Sequence, residues 1–407
     1  MTTSQAPSGA KIIVGSREQL LHLLAEASEI EHCLMCSYLY AAFSLRDGDD
    51  GLDPAAARLV GSWRKAIMDV AIEEMGHLLM VANLTVAVGG RPHLARPNFP
   101  VAPGYFPSGV VVRLNGFGPD TLDHFIFLER PRGEEEEDGA GFEVDDYERR
   151  QARPGLMPSA QDYDTIGDLY DAIRANIVAC HRDLGAEDFF VSDPSAQLGP
   201  EIVDLPGVMV IRTLEDAMAT LDLIVEQGEG SRREAETSHY RRFLAIREEY
   251  QAQLAKNPAF EPAWPVADNP VLRRPPDGED KAFIHDPDAA QLLDLACASY
   301  GLLLRVLGQG FARSERDEPL RKKLMDLAFA LMHLMGAAAK ALARKPAGSD
   351  TPNVNAGMSF TMLRGVEPLL HGRSEVIVIN SQVQALAASA ERLLGRPPAL
   401  LLEHRLA

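Results

Sequence analysis

Two Glu-x-x-His pairs, Glu74/His77 and Glu236/His239, lie on helical stripes that are otherwise apolar. The first belongs to AIEEMGHLLM (71–80) and shares a stripe with Trp63, Ile67, Val70, Val81, Leu84 and Val88. The second shares one with Phe243, Ile246 and Tyr250. An ionised carboxylate on the buried face of a helix requires a partner, because it loses its water and must recover that free energy elsewhere. Glu and His one helical turn apart can ligate the same cation. Two such helices, each beside a helix offering one further Glu, describe a four-helix bundle around a pair of metal ions.

The remaining periodicity supplies those helices. Leu20, Leu23, Leu24, Ala27, Ile30, Leu34, Tyr38 and Ala41 predict a helix over 16–45 with Ser16 as its cap. A second runs from about Trp63 to Val88 and ends at Gly89-Gly90; the polar stretch RDGDDGLDP joins the two. From Arg91 to about Val210 prolines are frequent, with an apolar run GVVVRL (109–114), the segment FIFLERP (125–131) and one clear helix near Tyr163–Leu184. So long an excursion is expected to be a lid or packing element. A third bundle helix spans about Leu214–Gln227 and a fourth about Arg232–Leu254. The short GEGS break makes them antiparallel neighbours. Pro-rich sequence at 258–276 precedes helices near 288–311, 318–344 and 377–395. The expected organisation is all-α: a bundle over 1–257 with an insertion at about 91–210, then a linker and helical region over 258–407 packed on it.

Composition narrows the partners. A formal net charge of -19 argues against nucleic acid or an anionic membrane surface, since both demand clustered Lys and Arg. The greasiest run, LAFALMHLMGAAA (327–339), is shorter than the roughly 20 residues of a bilayer span, and no basic-then-apolar leader opens the chain. Four scattered cysteines make no disulfide framework. Cytoplasmic residence and a small-molecule partner are the expectations, with no nucleic acid or membrane partner and a homodimer as the candidate assembly.

On the first helix Glu31 shares the stripe of Ala27, Leu34 and Tyr38, whereas Glu29 falls at its margin, so the Glu29/His32 spacing is read as a chance match. On the third helix Glu226 adjoins the stripe Leu214, Met218, Leu221, Val225, with Glu229 and Asp222 as alternatives. The expected ligand set is therefore Glu31, Glu74, His77, Glu226, Glu236 and His239, four carboxylates and two imidazoles. These hard and borderline donors suit iron or manganese. Glu73 is read as a flank of Glu74. Cys33 and Cys36 form a C-x-x-C in mid-helix, with no second cysteine pair and no helix N-terminus to lower a thiol pKa, and are read as carrying no redox or metal function.

Several segments together resemble a known family. ASEIEHCLMCSYLYAAFSL (27–45), AIEEMGHLLMVANLTVAVGGRP (71–92), TIGDLYDAI (165–173), LIVEQGEG (223–230), SHYRRF (238–243), VLRRPPDGEDK (271–281) and NAGMSF (355–360) are similar to ferritin-like proteins of the iminophenyl-pyruvate dimer synthase type. These form a portion of violacein and rebeccamycin pathway enzymes and also occur alone. The resemblance implies a ferritin-like core with bound metal and, in the pathway enzymes, oxidative coupling of two imines derived from an aromatic amino acid. The matching positions here are the six ligand candidates already named. The expected function is a non-haem dimetal oxidase or oxygenase: two Fe ions, with Mn as the alternative, using O2 or peroxide on a small aromatic or amino-acid-derived molecule. The competing expectation is a metal-binding protein without turnover, serving storage, buffering or as a pathway scaffold.

Overall fold

The computed structural model describes residues 12–143, 146–149, 156–228, 237–313 and 317–395, with 401, 403 and 406. Helices α1 (Arg17–Ser44) and α2 (Pro54–Ala87) form an antiparallel pair. Both begin as local chemistry dictates. Ser16 accepts a hydrogen bond from the Gln19 amide, and Asp53 caps α2 with Pro54 in its first turn, where a missing N–H is harmless. Trp63, Ile67 and Val70 of the expected stripe are all buried. Each contributes about 2 kcal/mol on removal from water.

The excursion holds α3 (Pro119–Leu128), α4 (Ile166–Leu184) and the single turn α5 (Ala186–Phe189). Helix α4 starts at a reciprocal capping box between Thr165 and Asp168. Helix α3 was not expected from sequence; it lies in the stretch read as irregular. Helices α6 (Leu214–Gly228) and α7 (His239–Lys256) complete the bundle, α4 packing on α1 and α6, and α3 on α7.

Beyond it come α8 (Pro287–Phe311), α9 (Glu318–Leu342) and α10 (Arg373–Leu394), close to the predicted spans. Among the described residues the strand content is one two-residue parallel pair, β1 (Pro270–Val271) with β2 (Ala282–Phe283). The α8–α9 hairpin packs on α1, so α1 is covered on both sides and 22 of its 28 residues are buried. That is why its sequence is apolar almost all round and not along a single stripe. By length and composition α2, α8 and α9 could each cross a bilayer, a reading the 327–339 run alone did not give. Their apolar windows are 83%, 67% and 56% buried against the rest of the protein.

Candidate metal centre

Glu31 on α1 and Glu74 and His77 on α2 meet in the middle of the bundle, each no more than 2% exposed. The Nδ1 of His77 is 3.3 Å from Glu31 Oε2 and 3.1 Å from Glu74 Oε2. The first residue of α7, His239, enters from the other side. Its Nδ1 lies 2.9 Å from Glu74 Oε1 and 3.6 Å from Glu129 Oε1. Glu74 thus turns one oxygen to each imidazole, and the two rings stack at 5.6 Å between centroids. Glu31, Glu74 and His77 form one group of converging donor atoms, and Glu74, Glu129 and His239 form another, with Glu74 common to both.

The outer contacts orient these donors. His77 Nε2 donates to Gln227 Oε1 at 2.8 Å, and His239 Nε2 donates to Glu73 Oε2 at 2.9 Å. Arg242 in turn holds Glu73 at 2.9 Å. With each Nε2–H engaged outward, both Nδ1 atoms face the carboxylates, the arrangement in which an imidazole serves as a ligand. Tyr38 donates to Glu129 Oε1 at 2.5 Å, and Tyr170 donates to Glu31 Oε1. A space of about 20 Å³ adjoins the cluster, walled by Leu34, Leu128, Ile166 and Ile224.

The electrostatics are those of crowded acids. Burial, and then the charge of Glu74, push the Glu31 carboxyl up to about 8. Burial would raise Glu74 too, but the hydrogen bond from Glu31 and the two imidazoles outweigh it and hold Glu74 well below the usual carboxylate range. Burial alone would lower His77. Glu74 and Glu31 overcome that and push it up to about 10, and His239 is raised in the same way by Glu74 and Glu129. Protons on Glu31, His77 and His239 thus offset the crowded carboxylates.

Of the expected ligands, Glu31, Glu74, His77 and His239 come together. Glu226 does not: it is exposed on α6. The buried stripe of α6 is Ala217, Thr220, Leu221 and Ile224, and Glu226 lies about 200° round from Ile224 while Gln227 returns to the inner face. Asp222 is exposed as well and paired with Arg174 at 2.5 Å. Glu229 and Glu236 lie outside the described residues. Glu29 bonds His93 and Tyr105 at 2.8 and 2.7 Å, and His32 bonds Tyr300, so that spacing carries no ligand pair. Cys33 and Cys36 are buried with thiols pushed up by desolvation.

The residue that sequence reading missed is Glu129, 6% exposed, directly after α3. A signal existed: Leu122, Phe125, Ile126 and Glu129 repeat at three- and four-residue spacing.

A helical bundle whose interior holds three carboxylates and two imidazoles, one carboxylate lying between the imidazoles, has the donor arrangement of a carboxylate-bridged metal protein. A family model described as Ferritin-like matches residues 24–248, and the chain belongs to that family. It is 27% identical over 93% of its length to dichlorochromopyrrolate synthase from Lentzea aerocolonigenes. It is also 27% identical, over 80% of its length, to 2-imino-3-(indol-3-yl)propanoate dimerase from Chromobacterium violaceum. It spans only 39% and 32% of those two proteins. A crystal structure of a ferritin like protein from Caulobacter vibrioides superposes with a TM-score of 0.49 at 19% identity, covering 81% of this chain and 96% of that one.

Proposed function

We propose that this chain is an oxidoreductase with a carboxylate-bridged pair of metal ions, iron first and manganese second, acting on a small aromatic or amino-acid-derived acid in secondary metabolism. The observation that carries the reading is Glu74, with one buried oxygen turned to each of two imidazoles. The donor set fits the metals: three buried carboxylates converge with two imidazoles whose Nδ1 atoms face inward, hard and borderline donors that suit iron or manganese. Glu31 and His77 would hold one ion, Glu129 and His239 the other, with Glu74 shared. Bound metal of this kind supplies electron transfer to O2 or peroxide.

The chain's own residues define the rest. Tyr170 and Tyr38 fix the carboxylates of Glu31 and Glu129 by donation. Glu73 and Gln227 fix the two rings. Leu34, Leu128, Ile166 and Ile224 give the adjoining space an apolar wall. The substrate class in this proposal comes from the names of the two relatives, one an indolyl imino acid dimerase and the other a chromopyrrolate synthase. The test is metal analysis of protein grown in iron-replete medium, followed by O2 consumption with indole- and phenyl-substituted 2-oxo and 2-imino acids. Two iron atoms per chain and substrate-dependent O2 uptake, lost in Glu74→Ala, are expected. Iron without uptake for any such acid would favour a metal-binding role without turnover.

A further inference from the structure

Two segments outside the bundle, VLRRPPDGEDK (271–281) and NAGMSF (355–360), take no part in the metal centre. The fold brings parts of both to one open cavity of about 900 Å³, bordered by residues 98–99 and one face of α8. That is the volume of a small-molecule site. It shares no wall residue with the space beside the metal centre.

The cavity has two chemistries. Phe99, Leu272 and Met362 give it an apolar wall, while Arg273, Arg274, Lys281 and Arg364 stand around it against two acids, Glu279 and Asp294. Glu279 is occupied by Lys281 at 2.6 Å, and Arg274 lies over the Phe283 ring at 4.9 Å. Arg273 and Arg364 are exposed and have no ion-pair partner among the described residues. In a chain of net charge -19, free guanidinium groups gathered around one concavity run against the general field.

Its floor is ordered. Cys297 Sγ is 3.0 Å from Ser359 Oγ, which is 2.7 Å from Thr361 Oγ1. Between those hydroxyls Phe360 adopts φ 45, with its ring fully buried and its carbonyl accepting from Arg96. An aromatic residue in the left-handed region is held there only when its surroundings over-determine it. Here the turn brings the Ser359 and Thr361 hydroxyls together on the cavity floor, while the Phe360 ring packs in the core and forms no part of the wall. Helix α8 meets the cavity at Asp294–Ala298, two turns beyond its start, so no free helix N-terminus is offered to a phosphate.

We propose that this cavity is a second binding site, for a small organic anion: a ring-bearing body against Phe99 and Met362, its carboxylate on Arg273 and Arg364, and a ring N–H directed to Asp294. Planar guanidinium donors suit a carboxylate, and an aromatic body suits an aromatic and thioether wall.

The test is isothermal titration of the full-length protein with indole-3-acetate, indole and inorganic phosphate, with and without a chelator. One indole-3-acetate per chain is expected, unaffected by the chelator, with indole and phosphate at least tenfold weaker. The double variant Arg273→Gln/Arg364→Gln should lose tenfold or more, as should Ala298→Trp, which fills the cavity and leaves the charges alone. Should Ala298→Trp fail to fold, the two exposed arginines decide alone. Absence of indole-3-acetate binding, equal binding of indole or phosphate, or undiminished binding by the arginine variant would each overturn the proposal.

Discussion

Replacing Glu31 with Gln should stabilise the metal-free protein while weakening its hold on metal. The carboxyl of Glu31 is pushed from its ordinary value of 4.5 to about 8. At pH 7 it is ionised in the unfolded chain and protonated in the fold. An acid raised on folding withdraws stability as pH climbs from its unfolded value to its folded one. At pH 7 the gap is roughly two and a half decades of proton affinity, or about 3 kcal/mol. Glutamine keeps the shape, an acceptor for Tyr170 and an N–H for Glu74, and has no proton to gain. With about 2.1 cal/mol/K of unfolding entropy per residue, 3 kcal/mol raises Tm by about 3–4 °C. Thermal melts in EDTA at pH 5, 7 and 8 check this: the advantage should shrink below about 1 kcal/mol at pH 5 and be largest at pH 8. In excess Mn(II) the order should close or reverse, because metal at a hundred times Kd adds about 2.7 kcal/mol to the wild type and less to a chain lacking one ligand. A variant that melts below wild type in EDTA at pH 7, or an advantage independent of pH, would refute the crowded-acid account.

Loading the centre should expel protons. Near pH 7 Glu31, His77 and His239 all carry one, so calorimetry in buffers of different ionisation enthalpy should find about three released for two metals, and affinity should rise with pH. Glu129→Ala should halve the metal content measured by elemental analysis, whereas Glu226→Ala, altering an exposed side chain, should leave it unchanged. Gly357→Ala should cost about 2 kcal/mol in denaturant unfolding, since its methyl would lie 2.0 Å from the buried Tyr40 hydroxyl.

Helical periodicity made most of the bundle legible. Local spacing placed Glu31, Glu74, His77 and His239 on inner faces, because the angle between a side chain and its neighbours three and four residues away is a property of the helix alone. The same reasoning separated Glu29 from Glu31, which lie about 200° apart on the helix. It failed where the answer depended on how one element is rolled against others. Glu226 and Gln227 differ by a rotation of about 100°, and the loose stripe of α6 allowed either to be inner.

Sequence by itself determined an all-α chain whose second helix carries a carboxylate and an imidazole into an apolar interior. That follows from spacing and from the free energy of burying charge, both of which act locally. The tertiary structure decided that the further carboxylate is Glu129, delivered from a helix 45 residues beyond Glu74. It also set Glu73 and Gln227 behind the two rings and gathered residues near 98, 273 and 364 around one cavity. Those choices are pairings between distant segments, settled by which faces bury one another, and no local pattern contains them.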